Sequence, residues 1–280
     1  MAIIKNQANL TYTYGTTTAS VLSNLAETEW NAALAAEKRA LEDAYREGLT
    51  LTYLISLKNS SAAPVEALTV TDDLGAFTPA GSDTPVVPLT FAGNATLYVD
   101  GTFSETLTPS FVPEGMQFTL PSIPANADAL LIYQATVNSF APLTVGSEIT
   151  NTVTIGEADP LTASATVPAA EYADVTVKKE MRPNPITDGC ELAVTFTIEN
   201  RGNTEASDLV LTDDFPLALA DVAVSVNGTP TEDFTFDGTR LTLPGTAGTL
   251  SVPAATFMQD ETGAVSVNPG VLTITLTGMV

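Results

Sequence analysis

Residues 48–74 read GLTLTYLISLKNSSAAPVEALTVTDDL, and residues 189–215 read GCELAVTFTIENRGNTEASDLVLTDDF. The two stretches align without a gap, so their identical residues all lie 141 positions apart. These residues are Gly48/Gly189, Leu51/Leu192, Asn59/Asn200, Leu68/Leu209, Thr71/Thr212, Asp72/Asp213 and Asp73/Asp214. One register held over this length indicates that the chain consists of two repeat units.

Both copies alternate apolar and polar residues. Every second position is apolar from Leu51 to Leu57, and again from Leu192 to Ile198. A period of two is the pattern of a half-buried β-strand. Turn dipeptides separate short segments of this kind, namely Asp100-Gly101, Asn227-Gly228 and Asp237-Gly238. The pattern predicts an all-β fold with two tandem Ig-like β-sandwich domains.

One segment has the composition of a helix. Residues 31–47, NAALAAEKRALEDAYRE, are strong helix formers, but their repeat partner at 172–188 contains Pro183 and Pro185. Because equivalent positions of a repeat should share a conformation, we predict a strand over residues 33–40. The predicted domains are an extended N-terminal donor strand or hairpin (1–30), a first Ig-like repeat (31–170) and a second repeat that lacks its closing strand (171–280).

The composition excludes most enzyme classes and several partners. The 280 residues contain no histidine and one cysteine, Cys190, which rules out histidine-dependent triads, cysteine-cluster metal sites and an intrachain disulfide. The formal net charge of −23 opposes binding to nucleic acid and to anionic membranes. No stretch predicts membrane insertion, and the N-terminus has no recognisable signal peptide. We expect a non-enzymatic protein without metal or cofactor, of the extracellular type found on cell or spore surfaces.

Three predicted strands of the first unit each carry one polar residue in their inward-facing apolar row. These residues are Lys38, Asp72 and Asn151, and the second unit repeats the first two as Lys179 and Asp213. The apolar neighbours in the rows are Leu34, Ala36, Leu68, Val70, Ile149, Val153 and Ile155 in the first unit, and Val175, Val177, Leu209 and Leu211 in the second.

Burial of these polar residues would give them a chemical role. A desolvated amine loses its charge and becomes a nucleophile, and a buried carboxylic acid polarises a carbonyl and transfers protons. Lys38 and Asn151 would then form an amide with release of ammonia, promoted by Asp72, with no cofactor. The alternative is that these residues lie at solvated strand ends, as the charged neighbours Arg39 and Lys178 suggest.

Residues 38–73, and their copy at 179–214, resemble the bacterial surface-repeat family known as domain of unknown function eleven. The matching motif positions are Lys38, Gly48, Tyr53, Asn59, Asp72 and the segment ITNTVTI at 149–155. The resemblance implies a repeat that builds cell-wall or surface fibres. It also implies similarity to Ig-like adhesin and pilin domains that carry intramolecular Lys–Asn isopeptide bonds, with Asp72 and Asp213 as the promoting acids.

The closing strand of the second unit would follow Val280, whereas a similar strand precedes the first unit. Residues 3–15, IIKNQANLTYTYG, resemble the closing segment ITNTVTIG at 149–156, with Asn6 matched to Asn151. A spare strand and an unfinished sheet predict a head-to-tail homo-polymer formed by donor-strand complementation. The alternative is an arbitrary boundary within a longer repeat array.

The polymer hypothesis assigns a second cross-link. Asn6 of one subunit would meet Lys179 and Asp213 of the next and form an intermolecular isopeptide bond. The predicted function is therefore a structural subunit of a bacterial surface fibre. The alternative function is a stalk, spacer or ligand-binding fragment of a surface adhesin. Catalysis by the acid pair Asp72 and Asp73 is disfavoured, because strand alternation directs the two side chains to opposite faces.

Overall fold

The computed structural model describes residues 2–30, 34–66, 68–113, 115–156, 160–245 and 248–280. The described part contains β-strands, turns and loops, and no helix of a kind that could cross a membrane. The all-β prediction is confirmed.

The N-terminal residues form a two-stage antiparallel hairpin. Strand β1 (Ala2–Asn6) pairs with β4 (Ala26–Trp30), and β2 (Asn9–Tyr14) pairs with β3 (Thr17–Leu22). A tight turn with Gly15 at φ +60° joins β2 to β3. The side chains of Leu10, Tyr12 and Tyr14 lie on one face of this hairpin and are exposed. We call β2 and β3 with their turn the donor hairpin.

The first repeat is a sandwich of two five-stranded antiparallel sheets. The sheets have the orders β10-β11-β7-β13-β14 and β5-β6-β12-β8-β9, and their inner faces form one hydrophobic core. The strands are β5 (Leu34–Ala40), β6 (Thr50–Asn59), β7 (Leu68–Asp72), β8 (Leu89–Val99), β9 (Thr102–Leu107), β10 (Ser110–Val112), β11 (Gly115–Leu120), β12 (Asp128–Val137), β13 (Glu148–Ile155) and β14 (Leu161–Pro168).

The second repeat has one complete sheet and one fragmented sheet around a separate core. The complete sheet has the order β15-β16-β26-β19-β20, and the opposite side consists of the pieces β17-β23 and β18-β22-β21. The strands are β15 (Val175–Arg182), β16 (Glu191–Asn200), β17 (Ala206–Leu209), β18 (Leu211–Asp214), β19 (Ala220–Val226), β20 (Thr229–Thr231), β21 (Thr235–Phe236), β22 (Arg240–Leu243), β23 (Leu250–Val252), β24 (Thr256–Gln259), β25 (Val265–Asn268) and β26 (Gly270–Met279).

Residues 34–40 of the helix-prone segment form a strand, as the repeat argument predicts for residues 33–40. Strand β5 begins at Leu34 and pairs with β6 from Leu34↔Asn59 to Ala40↔Tyr53, while residues 31–33 lie outside the described residues. Pairing with β6 and burial of one face of β5 outweigh a helix preference of a few tenths of a kcal/mol per residue.

The repeated asparagines have a structural role. The Asn59 side chain is buried and donates to the Ala63 carbonyl at 3.0 Å, and the Asn200 side chain donates to the Thr204 carbonyl at 2.8 Å. Each amide therefore fixes the loop that follows its own strand. The unit boundaries at residues 30 and 170 remain a prediction.

Candidate cross-linking site

The first repeat brings Lys38, Asp72 and Asn151 together in its core. Lys38 comes from β5 at the edge of one sheet, whereas Asp72 and Asn151 come from β7 and β13 of the other sheet. All three side chains are buried, and those of Lys38 and Asp72 have no exposed surface. The inward rows predicted from strand alternation are thus confirmed for this unit.

A continuous chain of hydrogen bonds joins the three residues. The Lys38 Nζ donates to Asp72 Oδ2 at 2.7 Å, and the Tyr133 hydroxyl donates to the same oxygen at 2.6 Å. The Asn151 Nδ2 donates to the Tyr133 hydroxyl at 2.9 Å. The other carboxylate oxygen, Asp72 Oδ1, accepts from the backbone N–H of Leu74 at 3.0 Å. Tyr133 therefore lies between the acid and the amide nitrogen.

Two tyrosine rings form the wall of the site. The rings of Tyr53 and Tyr133 are stacked with centroids 5.4 Å apart, and Lys38 Nζ lies 5.1 Å from the centroid of Tyr53. Tyr53 Oη and Asn151 Oδ1 are the only two buried side-chain polar atoms without a hydrogen bond in the described part of the chain. A buried amide oxygen without a hydrogen-bond donor costs about 1–3 kcal/mol, and such groups are uncommon in folded proteins.

Burial controls the protonation of the site. Desolvation lowers the pKa of Lys38, although the charge and hydrogen bond of Asp72 act in the opposite direction. Desolvation also raises the pKa of Tyr133 well above its usual value, and the charge of Asp72 adds to this effect. Burial therefore makes the lysine ammonium easier to deprotonate and keeps the tyrosine hydroxyl protonated.

Neighbouring residues fix the position of the acid and the amide. Asp73 Oδ1 accepts from the backbone N–H of Thr152 at 2.8 Å and of Gly75 at 2.8 Å, which attaches β13 to the end of β7. Burial raises the pKa of Asp73, and these two hydrogen bonds oppose the rise. Gly115 approaches the backbone of Asp72 so closely that a Cβ would lie 2.0 Å from the Asp72 carbonyl oxygen. With a φ of +141°, this position requires glycine.

The corresponding pair in the second repeat lies near solvent. Lys179 Nζ donates to both carboxylate oxygens of Asp213, at 2.8 and 2.6 Å, but the Lys179 side chain is 35% exposed. Its strand, β15, is exposed along its whole length, including the inward-row residue Val177 at 61%. Strand β18, which carries Asp213, pairs with β22 and has no strand on its other side among the described residues. We call the gap between β15 and β18 the open seam.

In the first repeat, strands β13 and β14 fill the gap that corresponds to the open seam. There, β13 pairs with β7 through Val153↔Asp72, Thr154↔Thr71 and Ile155↔Val70, and β14 lies against β5. The described residues of the second repeat contain no equivalent of β13 or β14. The third predicted cross-link residue of this unit, Asn6, lies in β1 opposite Ala26 and makes no hydrogen bond with Lys179 or Asp213 of its own chain.

Tyr133 is the residue of the hydrogen-bond network in the first repeat that sequence reasoning does not select. It belongs to the inward row of β12, whose other members are Ala129, Leu131, Ala135 and Val137. Its polar tip within an apolar row is the same signal that selects Lys38, Asp72 and Asn151, and this signal was available in the sequence.

No family model matches the chain, and no curated protein matches it. The resemblance to domain of unknown function eleven therefore remains a resemblance. Similar solved structures include the pilus backbone RrgB of Streptococcus pneumoniae, with 16% identity, 85% of this chain and 56% of that chain covered, and a TM-score of 0.35. The major pilin BcpA of Bacillus cereus has 12% identity, coverages of 94% and 77%, and a TM-score of 0.37.

The major pilin SpaD of Corynebacterium diphtheriae has 12% identity, covers 85% of this chain and 65% of its own, and gives a TM-score of 0.37. The chain thus spans little more than half the length of RrgB and about two thirds of SpaD.

Proposed function

We propose that the protein is a structural subunit of a bacterial surface fibre, strengthened by an internal Lys38–Asn151 amide, and that it is not an enzyme beyond this single self-modification. The observation that carries the proposal is the fully buried network of Lys38, Asp72, Tyr133 and Asn151. Even when it is paired with Asp72, a fully buried lysine carries a desolvation cost, and conversion to an amide removes its charge.

The proposed reaction conserves atoms and needs no other reactant. Lys38 transfers a proton to Asp72 Oδ2 along their 2.7 Å contact, and the neutral amine attacks Asn151 Cγ. A bond forms between Lys38 Nζ and Asn151 Cγ, and the bond between Cγ and Nδ2 breaks. The leaving nitrogen receives the proton held by Asp72 and departs as ammonia, and Lys38 Nζ then loses its surplus proton to the Asp72 carboxylate to give the neutral amide.

The two tyrosines have separate roles in this reaction. Tyr133 donates to Asp72 and accepts from Asn151 Nδ2, so it lies on the path by which the acid proton reaches the leaving nitrogen. Tyr53 Oη and Asn151 Oδ1 are both unpaired. In this proposal the Tyr53 hydroxyl donates to the negative charge that develops on Oδ1.

The amide would change the mechanics of the repeat. It joins β5 to β13, which belong to different sheets, and it closes a loop from residue 38 to residue 151. If it acts as a disulfide does, a loop of this length reduces the entropy of the unfolded chain by the equivalent of about 4–5 kcal/mol. Pulling force would then pass through a covalent bond instead of unzipping a sheet edge.

The mass of the purified chain tests the cross-link. We expect it to be lower than the sequence mass by one ammonia, and we expect digestion to release a branched peptide that joins Lys38 to Asn151. The variants Lys38→Met and Asn151→Ala should each keep the full mass. Recovery of unmodified peptides containing Lys38 and Asn151 from the folded wild-type chain would refute the amide.

Assembly is the second part of the proposed function. One chain carries an exposed donor hairpin and an open seam, and an unpaired sheet edge readily accepts a strand from another molecule. The donor and acceptor surfaces are different, so the contact is heterologous and propagates into a filament. In the covalent form of this proposal, Asn6 of one subunit forms an amide with Lys179 of the next, promoted by Asp213.

Negative-stain microscopy of the full chain tests assembly. We expect long fibres whose abundance rises with protein concentration. Discrete particles at every concentration would exclude self-assembly of this chain, while leaving the internal amide untouched. Electrophoresis of boiled fibres distinguishes the two forms of the junction, since an Asn6–Lys179 amide gives a ladder and a non-covalent junction gives monomer.

A further inference from the structure

The donor hairpin resembles the β13–β14 hairpin in sequence and in strand pairing. The segment TYTYG at 11–15 aligns with TVTIG at 152–156, so that Tyr12 corresponds to Val153 and Tyr14 to Ile155. In the return strands, Thr18-Ala19-Ser20 corresponds to Thr162-Ala163-Ser164. The pairing agrees in both hairpins, because Tyr12 faces Ala19 and Val153 faces Ala163.

The two hairpins differ in the length of the turn. Residues 15–16 join β2 to β3, whereas residues 156–160 join β13 to β14. Because the turn between β13 and β14 is longer, the matching residues of the return strands β3 and β14 are separated by more positions than those of the outgoing strands β2 and β13. The outgoing strands keep the offset of the repeat itself, which connects Gly15 with Gly156.

The alignment of the two hairpins identifies the donor-hairpin residue that corresponds to Asn151. Asn151 faces Ala165 in the first repeat, and the equivalent pair of the donor hairpin is Leu10 and Val21. Asn6 lies four residues earlier, in β1, at a distance of about 13 Å along an extended strand. A donor hairpin that docks as β13–β14 does therefore brings leucine, not asparagine, to the acceptor lysine.

The acceptor also lacks the tyrosine hydroxyls. Val194 occupies the position of Tyr53, and Leu276 faces Val194 as Tyr133 faces Tyr53. The rings near Lys179 Nζ are those of Phe196 and Phe215, which carry no polar group. The second repeat thus retains the ion pair but has no tyrosine relay between its acid and a leaving nitrogen.

We infer that the donor hairpin of one copy docks in the open seam of another copy in the register of β13–β14, and that Leu10 covers the Lys179–Asp213 ion pair and leaves the junction non-covalent. The fibre would then alternate covalently closed first repeats with dissociable junctions. This inference rests on the head-to-tail assembly proposed above, and it replaces the Asn6–Lys179 amide as the chemistry of the junction.

Cysteine pairs measure the register directly. In the first repeat Thr154 faces Thr71, so the inferred register places Thr13 opposite Thr212 of the neighbouring copy. The alternative alignment, which matches Asn6 with Asn151, places Asn9 opposite Thr212 instead. Asn9→Cys is therefore the matched control. Residues directly opposite in antiparallel strands have Cα atoms about 4.5–5.5 Å apart, within the reach of a disulfide.

The experiment uses full chains in which Cys190 is replaced by serine. A Thr212→Cys chain is mixed with either a Thr13→Cys or an Asn9→Cys chain, assembled and oxidised. We expect a reducible dimer with Thr13→Cys and only background with Asn9→Cys, together with unmodified Lys179 peptides from wild-type fibres.

Each other outcome overturns a defined part of the inference. A dimer with Asn9→Cys, or an Asn6–Lys179 amide in fibres, overturns the register and leaves head-to-tail assembly standing. Fibres without either dimer show that another strand, such as one supplied by residues following Val280, fills the seam. Absence of both fibres and dimers overturns the assembly proposal itself.

Discussion

Replacement of Asp72 by alanine is expected to abolish the Lys38–Asn151 amide and to destabilise the first repeat more than any other single change in the site. In the proposed reaction the acid accepts the Lys38 proton and supplies the proton that the leaving nitrogen needs, and loss of such a group slows a reaction by about 10²–10⁴-fold. The change also leaves Lys38 and the Tyr133 hydroxyl without their shared acceptor in a site closed to solvent. Breaking a buried ion pair by removing one partner costs about 3–5 kcal/mol.

The repeat supplies a matched control for this variant. Asp213→Ala removes the equivalent acid, but the Lys179 side chain that it leaves behind is 35% exposed and can be hydrated. Exposed pairs contribute about 0–1 kcal/mol, so this variant should retain nearly full stability. The intact mass shows whether the Lys38–Asn151 amide has formed, and urea denaturation measures the free energy of unfolding. If the Asp72→Ala variant contains as much amide as the wild-type chain, Asp72 takes no part in the reaction.

A double variant separates the charge effect from the loss of packing. Lys38→Met combined with Asp72→Leu removes both charges and keeps similar volumes. It should recover much of the stability lost in Asp72→Ala, because replacement of a buried pair by apolar residues is often neutral or stabilising. The amide will be absent from both variants, so the comparison is between two chains without the cross-link.

The first repeat illustrates how far a sequence pattern can be taken. A single lysine in the inward row of β5 is a local anomaly, and so is an asparagine in the row of β13. Strand alternation predicts that these side chains share the inward rows, but it leaves solvated strand ends as an alternative, and the resemblance to the surface-repeat family is what favours their meeting in the core. The same reasoning identifies β5 as a strand despite its alanine-rich composition, since proline in the copy excludes a helix.

The second repeat shows where this reasoning ends. Lys179 and Lys38 occupy equivalent rows, yet one is exposed and the other has no exposed surface. The difference arises from β13 and β14, which are distant in sequence and cover only the first of these lysines. The polar tip of Tyr133 in an apolar row was visible in the sequence, but its contacts with Asp72 and Asn151 depend on which strands lie across the core from β12.

The hairpin register also required three-dimensional pairing. Sequence comparison supports one offset through Gly15 and a different one through Asn6, and the turn lengths of the two hairpins differ. The facing pairs Tyr12↔Ala19 and Val153↔Ala163 decide between them.

The second large effect is expected from Tyr12→Lys combined with Tyr14→Lys, which should abolish fibre formation. Both side chains lie on the exposed apolar face of the donor hairpin, at the positions of the buried residues Val153 and Ile155. Burial of each large apolar side chain contributes about 1.5–3 kcal/mol, and a lysine in the same position adds a desolvation cost. Two such losses weaken association by at least about a hundredfold, since 1.4 kcal/mol corresponds to a factor of ten.

The opposite face of the same hairpin provides the control. Thr18→Lys combined with Ser20→Lys adds the same charge at positions equivalent to Thr162 and Ser164, which are exposed on the first repeat. This variant should still form fibres, as measured by sedimentation and negative-stain microscopy at equal concentrations. If both variants assemble equally well, the apolar face of the donor hairpin is not the contact that holds the fibre together. If the control variant alone fails, the hairpin docks through its other face, and the open seam of the second repeat must be filled in a different way.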